Sequence, residues 1–209
     1  MTKPTDTRKR CEWIGDDELM RRYHDEEWGV PVHDDGKWFE FLLLDAFQAG
    51  LSWKTVLHKR EAFRHVFHDF DPERVAGMTA RERERARQNA GIIRNRLKIE
   101  ASVKNAESFL ALQREHGSFD HFIWSFTKGK VIHNKWKSLK EIPASTRLSD
   151  EVSAALKAAG FSFVGSTICY AFLQAAGVVN DHVTGCFRHA EILKLDSRRG
   201  ARQKSRQKA

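Results

Sequence analysis

The stretch from Trp38 to Phe47, Trp-Phe-Glu-Phe-Leu-Leu-Leu-Asp-Ala-Phe, constrains this chain more than any other feature. Asp34-Asp35-Gly36 precedes it as a helix start, and Gly50 follows it as a stop. Wound as a helix, the segment is apolar nearly all the way round, so it has to be central and buried. The rest of the sequence is consistent with helices packed about it. Strand signals are scarce. Helix starts recur at Asp16 or Asp17, at Ser52, at Asp71-Pro72-Glu73, at Thr79-Ala80-Arg81-Glu82 (a capping box) and at Ser149-Asp150-Glu151. The spacing predicts one helix running from Ser52 through Phe67, a long helix from about 95 to 116 and a shorter one over 119–126. Residues 127–148, with Gly129 and Pro143, are the least regular, with room for one short extended piece. The fold class is all-α, with one helical domain over residues 11–187.

The net charge of +8 suggests a polyanionic partner, but its distribution qualifies that reading. Lys3, Arg8, Lys9 and Arg10 face only Asp6 in the first ten residues, and 197–209 carry six cations with no acid. The body between is therefore near neutral. The basic ends, 1–10 and 188–209, are expected to be disordered tails, either simply solvated or also holding phosphates. The three cysteines, Cys11, Cys169 and Cys186, make no disulfide framework. The most apolar run, Ile168 to Val179, is too short to cross a bilayer and is interrupted by Gln174 and Gly177. With no signal peptide either, the expectation is a monomer in the reducing cytoplasm, away from membranes.

Two local patterns carry chemistry. In Leu156-Lys-Ala-Ala-Gly160-Phe-Ser-Phe-Val-Gly165-Ser-Thr-Ile-Cys, one helix ends at a glycine. A turn with Phe161, Phe163 and Val164 buried follows, and a second glycine opens the next helix. The N–H groups free at that helix start suit a phosphate oxygen, and Thr167 adds a hydroxyl. A plain helical corner is the competing reading. Separately, Cys11 and His24 precede His182 and Cys186, the latter two spaced to share one face of a helical turn. Two thiolates and two imidazoles suit a closed, tetrahedral zinc site with no open position for reaction. Spacing alone leaves open a chance histidine near Cys186. Cys169 reads as core.

The first pattern resembles the helix–hairpin–helix of a DNA glycosylase superfamily. That resemblance puts Thr167 where strand-cleaving members carry a Schiff-base lysine, which implies a monofunctional enzyme without lyase activity. It also puts Asn180 where those enzymes keep a catalytic aspartate, so no strong general base is implied there. The chain from about residue 10 to 187 further resembles the DNA-3-methyladenine glycosylase I family. The matching strings, in order, are Arg10-Cys11-Glu12-Trp13, Tyr23-His24-Asp25-Glu26-Glu27-Trp28-Gly29-Val30-Pro31, Gln48-Ala49-Gly50-Leu51-Ser52-Trp53, Ala90-Gly91-Ile92-Ile93-Arg94, Phe163-Val164-Gly165-Ser166-Thr167-Ile168-Cys169-Tyr170 and Val179-Asn180-Asp181-His182-Val183.

The resemblance implies a helix–hairpin–helix glycosylase bundle in which structural zinc on Cys11, His24, His182 and Cys186 staples the two ends. It also implies base-excision repair of alkylated double-stranded DNA by hydrolysis of the N-glycosidic bond of 3-methyladenine. The aromatic lining falls on Trp13, Tyr23 and Trp53, leaving Trp28, Trp38 and Trp124 for the core. Asp45 stands where the family carries its specificity glutamate, and Ala46 where it carries glycine. An acid in so apolar a helix is costly to bury without a partner or ligand, so Asp45 is the candidate catalytic residue. Leu51 is the candidate wedge for the gap left by an extruded base, with Gly50 allowing close approach to the duplex and Gly165 and Thr167 gripping phosphates. A buried contact is the competing reading for Leu51. Two alternatives follow from the departures: a glycosylase of altered lesion range, or a zinc-stapled module that binds lesions without cutting.

Overall fold

Helices begin where a side chain can accept a hydrogen bond from one of the free N–H groups of the first turn. In the computed structural model, which describes residues 6–206, Asp17 caps α1 (Glu18–Glu26) in this way through the Met20 N–H, and Asp34 caps α2 (Asp35–Gln48) through that of Lys37. Ser52 caps α3 (Trp53–Leu57), which is followed by α4 (Arg60–Val66). Asp71 caps α5 (Pro72–Ala76), and the Thr79–Glu82 capping box opens α6 (Ala80–Gln88). α7 (Arg96–His116) starts at Asn95 and stops at Gly117, whose φ of 81° few other residues adopt. α8 (Phe119–Ser125) is capped by Ser118. β1 (Ile132–His133) pairs in parallel with β2 (Val179–Asn180), Ile132 opposite Val179. Between them lie α9 (Arg147–Ala158) and α10 (Ser166–Ala175), and α11 (Phe187–Arg206) follows β2.

Three expectations need correction. The helix after Ser52 breaks at His58–Lys59, and the break swings Arg60 onto Glu27 and Glu40. α9 starts earlier than Ser149, because Thr146 caps it and Ser149 supplies the reciprocal bond of the box. The chain beyond residue 187 is helical to Arg206 instead of irregular, with Ile192 buried. At the other end, Arg10 pairs with Asp25, and the Lys9 carbonyl accepts from the Phe187 N–H. The remainder of the two basic tails, 1–5 and 207–209, lies outside the described residues, as do the side chains beyond Ser197.

Every residue of α2 from Trp38 to Phe47 is buried, and α3, α7, α8 and α10 pack around it. Trp38 meets Phe172, Phe39 meets Phe109 and Phe47 meets Phe63, at ring separations of 5.4, 5.2 and 4.6 Å. Each such side chain contributes ~1.5–3 kcal/mol on burial. The end of α10 is tied to the connection between α1 and α2, where Gly29 and Val32 donate to the Ala175 and Ala176 carbonyls. Gly177, at a φ of 69°, permits this approach, since a Cβ there would collide with the Val30–Pro31 peptide. That tie sets α1, α2 and α10 around a common space.

Candidate active site and metal centre

The space is a cleft of about 470 Å³, within the range of small-molecule sites. Its walls are aromatic. Tyr23 on α1 and Trp53 at the start of α3 lie 5.1 Å apart, tilted by 42°. Trp13, in the 3-10 turn Glu12–Ile14, meets Trp28 edge-on at 5.1 Å. Trp28 was assigned to the core, yet although buried it also lines the cleft; Trp38 and Trp124 are buried away from it. Leu139 and Ile142, from the irregular segment after β1, and Gln174 on α10 also line it, as do Gln48 and Lys54 on the side of α2 and α3. Sequence reasoning did not single out Leu139, Ile142 or Gln174, although Ala171, Gln174 and Ala175 share a helical face.

Asp45 projects from α2 into this cleft. The residue is 2% exposed, its Oδ2 has no hydrogen-bond partner among the described residues, and burial pushes its carboxyl well above the usual carboxylate range. The indole nitrogens of Trp13 and Trp53 are likewise buried and unpartnered. Leaving such groups unpaired costs about 1–3 kcal/mol each, which a ligand of matching polarity would recover. The Tyr23 phenol is held neutral, its pKa raised by burial and then by the nearby Asp45. One acid, facing aromatic surfaces and two N–H donors, suits a flat ligand that carries positive charge. Ala46, beside it on α2, is buried.

Behind Trp13 the two halves of the chain meet. Cys11, His24, His182 and Cys186 are all buried, and their ligand atoms lie within 4.8 Å of one another. Cys186 Sγ is 3.4 Å from His24 Nε2 and 3.7 Å from His182 Nδ1, and Cys11 Sγ is 3.7 Å from the same Nδ1. A tetrahedral zinc with ordinary bond lengths has S–N edges of about 3.5 Å, so the donors fit. The remaining imidazole nitrogens are committed elsewhere. His24 Nδ1 lies 2.7 Å from an Asp25 oxygen, and His182 Nε2 lies 3.0 Å from the Trp28 carbonyl. Each outer acceptor fixes the tautomer that turns the other nitrogen's lone pair inward. Gly29 lies close over this site, since a Cβ would stand 3.0 Å from His182 Nε2.

On the rim, Gly50 has a φ of 77° and is exposed, and Leu51 is 43% exposed, which removes the buried-contact reading. The turn is held from beneath by Lys98 on α7, a residue sequence reasoning passed over. Its buried ammonium donates to the Phe47 and Ala49 carbonyls at 2.7 and 2.6 Å, at the end of α2 where a cation is favoured. Between α9 and α10, Phe161 and Val164 are buried as expected. Phe163 is only half-buried, at a φ of 59°, because the bend turns its ring toward Lys98, 5.8 Å away. Asn105 clamps this bend by hydrogen bonds to the Ser162 N–H and carbonyl, at 2.8 and 3.0 Å. Gly165 takes an ordinary extended conformation and needs no glycine for its φ; a Cβ there would meet nothing within 4 Å. Thr167 is exposed in the first turn of α10.

Asn180 is buried outside the cleft, its amide donating toward His133 Nδ1 and the His189 carbonyl. The neighbouring Asp181 is buried and accepts from Asn134, Trp136, Tyr170 and Gln174 at 2.6, 2.9, 2.5 and 2.7 Å. Cys169 is core, its Sγ 3.3 Å from the Val164 carbonyl. No helix among the described residues is long and apolar enough to cross a membrane.

Comparison with known proteins adds four findings. The profile of the methyladenine glycosylase family matches residues 13–189. DNA-3-methyladenine glycosylase 1 of Escherichia coli (strain K12) is 51% identical over 178 residues, covering 85% of this chain and 95% of the relative. Among solved structures, a crystal structure of a 3-methyladenine DNA glycosylase I superposes with a TM-score of 0.83 at 52% identity, covering 86% of this chain and 98% of the other. The Staphylococcus aureus enzyme, described for its recognition of 3-methyladenine, superposes equally well (0.83) at 35% identity, covering 85% and 95% of the two chains.

Proposed function

The chain belongs to the methyladenine glycosylase family, and on that premise we propose that it excises 3-methyladenine from alkylated DNA by hydrolysing the N-glycosidic bond. One observation carries the assignment: Asp45, Trp13 and Trp53 line a single aromatic cleft, and their atoms Oδ2, Nε1 and Nε1 are buried without a partner among the described residues. Methylation at N3 leaves adenine in DNA positively charged, so the base departs readily and the enzyme's task is chiefly to recognise and extrude it. The faces of Tyr23 and Trp53 offer stacking and cation–π attraction, at ~1–3 kcal/mol per aromatic contact. Asp45, whose carboxyl burial pushes above the usual carboxylate range, is favoured in its ionised form by the bound cation and accepts hydrogen bonds from its edge. Water then attacks C1′ of an oxocarbenium-like sugar as the neutral base leaves. The reading without lyase activity is supported by Thr167 on the hairpin, by the Lys98 ammonium bonded to two carbonyls, and by Lys54, the lysine that lines the cleft, being paired with Asp17 at 2.9 Å.

The duplex side of the reading rests on the rim. The exposed Leu51 is shaped to enter the gap left by an extruded base, with Gly50 keeping the turn free of a side chain. The start of α10, with Gly165 open above it and Thr167 exposed, acts as the second element of a helix–hairpin–helix that grips phosphates. Zinc in the Cys11, His24, His182 and Cys186 site supplies a structural clasp. Cys11 leads directly into the turn that carries Trp13, so the clasp also fixes one wall of the cleft. The enzyme is proposed to act as a cytoplasmic monomer.

The test is release of free base from a panel of alkylated duplexes, identified by mass. Release of 3-methyladenine alone is expected. Asp45 is one methylene shorter than the family's glutamate and Ala46 replaces its glycine, so release of other bases instead would mark an altered lesion range. Binding without release would identify a non-catalytic lesion-binding module. Native mass spectrometry of the folded chain should find one zinc per molecule, and a metal-free folded chain would refute the clasp.

A further inference from the structure

Two amides line the cleft among the described residues, Gln48 and Gln174, and Gln174 is held by a carboxylate. Its Nε2 donates to Asp181 Oδ2 at 2.7 Å. A carboxylate has no proton to give, so the amide cannot turn over without placing two oxygens face to face. Asp181 is fixed in turn by Asn134 Nδ2, Trp136 Nε1 and the Tyr170 hydroxyl, which occupy its remaining acceptor positions. Gln174 lines the same cleft as Asp45, and α2 packs directly against α10. With Nε2 spoken for, the Oε1 of Gln174 is the atom left for a ligand, and no side chain among the described residues is bonded to it. We propose that Gln174 is a specificity-determining residue, and Asp181 its positioning residue, for an exocyclic amino group on the excised base.

The inference rests on the glycosylase reading and gives it a second polar contact. Asp45 alone recognises charge, and any cationic alkylated purine satisfies it. An acceptor locked by Asp181 asks in addition for an N–H donor. It admits an adenine-type amino group and meets a carbonyl oxygen at the same place with repulsion between two acceptors.

The experiment compares free 3-methyladenine with 3-methylpurine, which lacks the amino group, in binding titrations of the full chain, alongside base release from alkylated duplex DNA. The wild-type protein is expected to favour 3-methyladenine, and Gln174→Met to reduce that preference by about tenfold while the chain stays folded, since Asp181 keeps three of its four donors. Gln174→Asn serves as the conservative control: it keeps the amide on a shorter stem, whereas methionine keeps the volume and loses the amide. An unchanged preference in Gln174→Met overturns the proposal. So does a loss in Gln174→Asn as large as or larger than that in Gln174→Met, because a packing role would spare methionine and a hydrogen-bonding role would spare asparagine. Failure of the wild-type protein to release 3-methyladenine from DNA would instead count against the glycosylase reading itself.

Discussion

Two acids on the same buried helix have opposite surroundings. Glu40, near the start of α2, accepts from Lys37, Arg60 and Arg64 at 3.0, 2.7 and 2.8 Å, and Arg60 also forks onto both oxygens of Glu27. Burial alone would raise the Glu40 pKa, but the Arg60 hydrogen bond and the charges of Arg60 and Lys37 bring it below the ordinary glutamate value. Asp45, a turn and a half further on, has no such partner, and burial raises its pKa. A fold that neutralises one buried carboxylate so completely could have neutralised the other. The first acid belongs to the scaffold, and the second is the one proposed to meet a ligand.

Removing the scaffold acid should have the larger effect. Glu40→Gln leaves three cations around a neutral amide and is expected to cost about 3 kcal/mol of unfolding free energy in denaturant titrations, while the folded fraction retains its rate. A loss confined to catalysis would erase the contrast. Next in size, Asp45→Asn should lower 3-methyladenine release by about 10- to 100-fold, the worth of a charged hydrogen bond, and leave stability at neutral pH unchanged or improved. Release at the wild-type rate would end the pocket role.

The pH dependence sharpens the contrast because the two shifts have opposite signs. Glu40, with its folded pKa depressed, contributes stability that is present above the ordinary value of 4.5 and lost as pH falls through the folded pKa. Asp45, with its folded pKa raised, is most favourable below 3.8, and its contribution is lost as pH rises toward the folded pKa. Unfolding measured from acid to neutral pH should therefore show the Glu40→Gln deficit growing with pH. Any Asp45→Asn gain should grow over the same range. Parallel curves would contradict the assignment. The smallest effect lies at the rim, where Leu51→Ala should slow release from duplex DNA by a few-fold and from single strands hardly at all. Equal slowing on both would place Leu51 outside the extrusion step.

What the sequence made legible follows the range of its physical signals. The burial of α2 could be read from its unbroken apolar surface, and the caps at Asp17, Asp34 and Thr79 from residue types that satisfy free N–H groups. The Cys11, His24, His182 and Cys186 cluster could be proposed from ligand chemistry, but its closure depends on chain segments far apart meeting, which spacing does not specify. Gln174, Asp181 and Lys98 were not legible, because a glutamine or lysine in a helix looks like a solvated residue until its partner is known. Their partners here are Asp181, a set of four donors, and the carbonyls of another helix. The break at His58–Lys59 escaped notice for a related reason, since the pull of Glu27 and Glu40 on Arg60 is a tertiary effect.

The ammonium of Lys98 reaches the turn below Leu51 on one side and lies against the Phe163 ring on the other. The proposed wedge and the proposed grip on the strand beside it thus hang from one post. A duplex seated on both would find the spacing between lever and grip set in advance, so the work of bending falls on the nucleic acid and not on the enzyme.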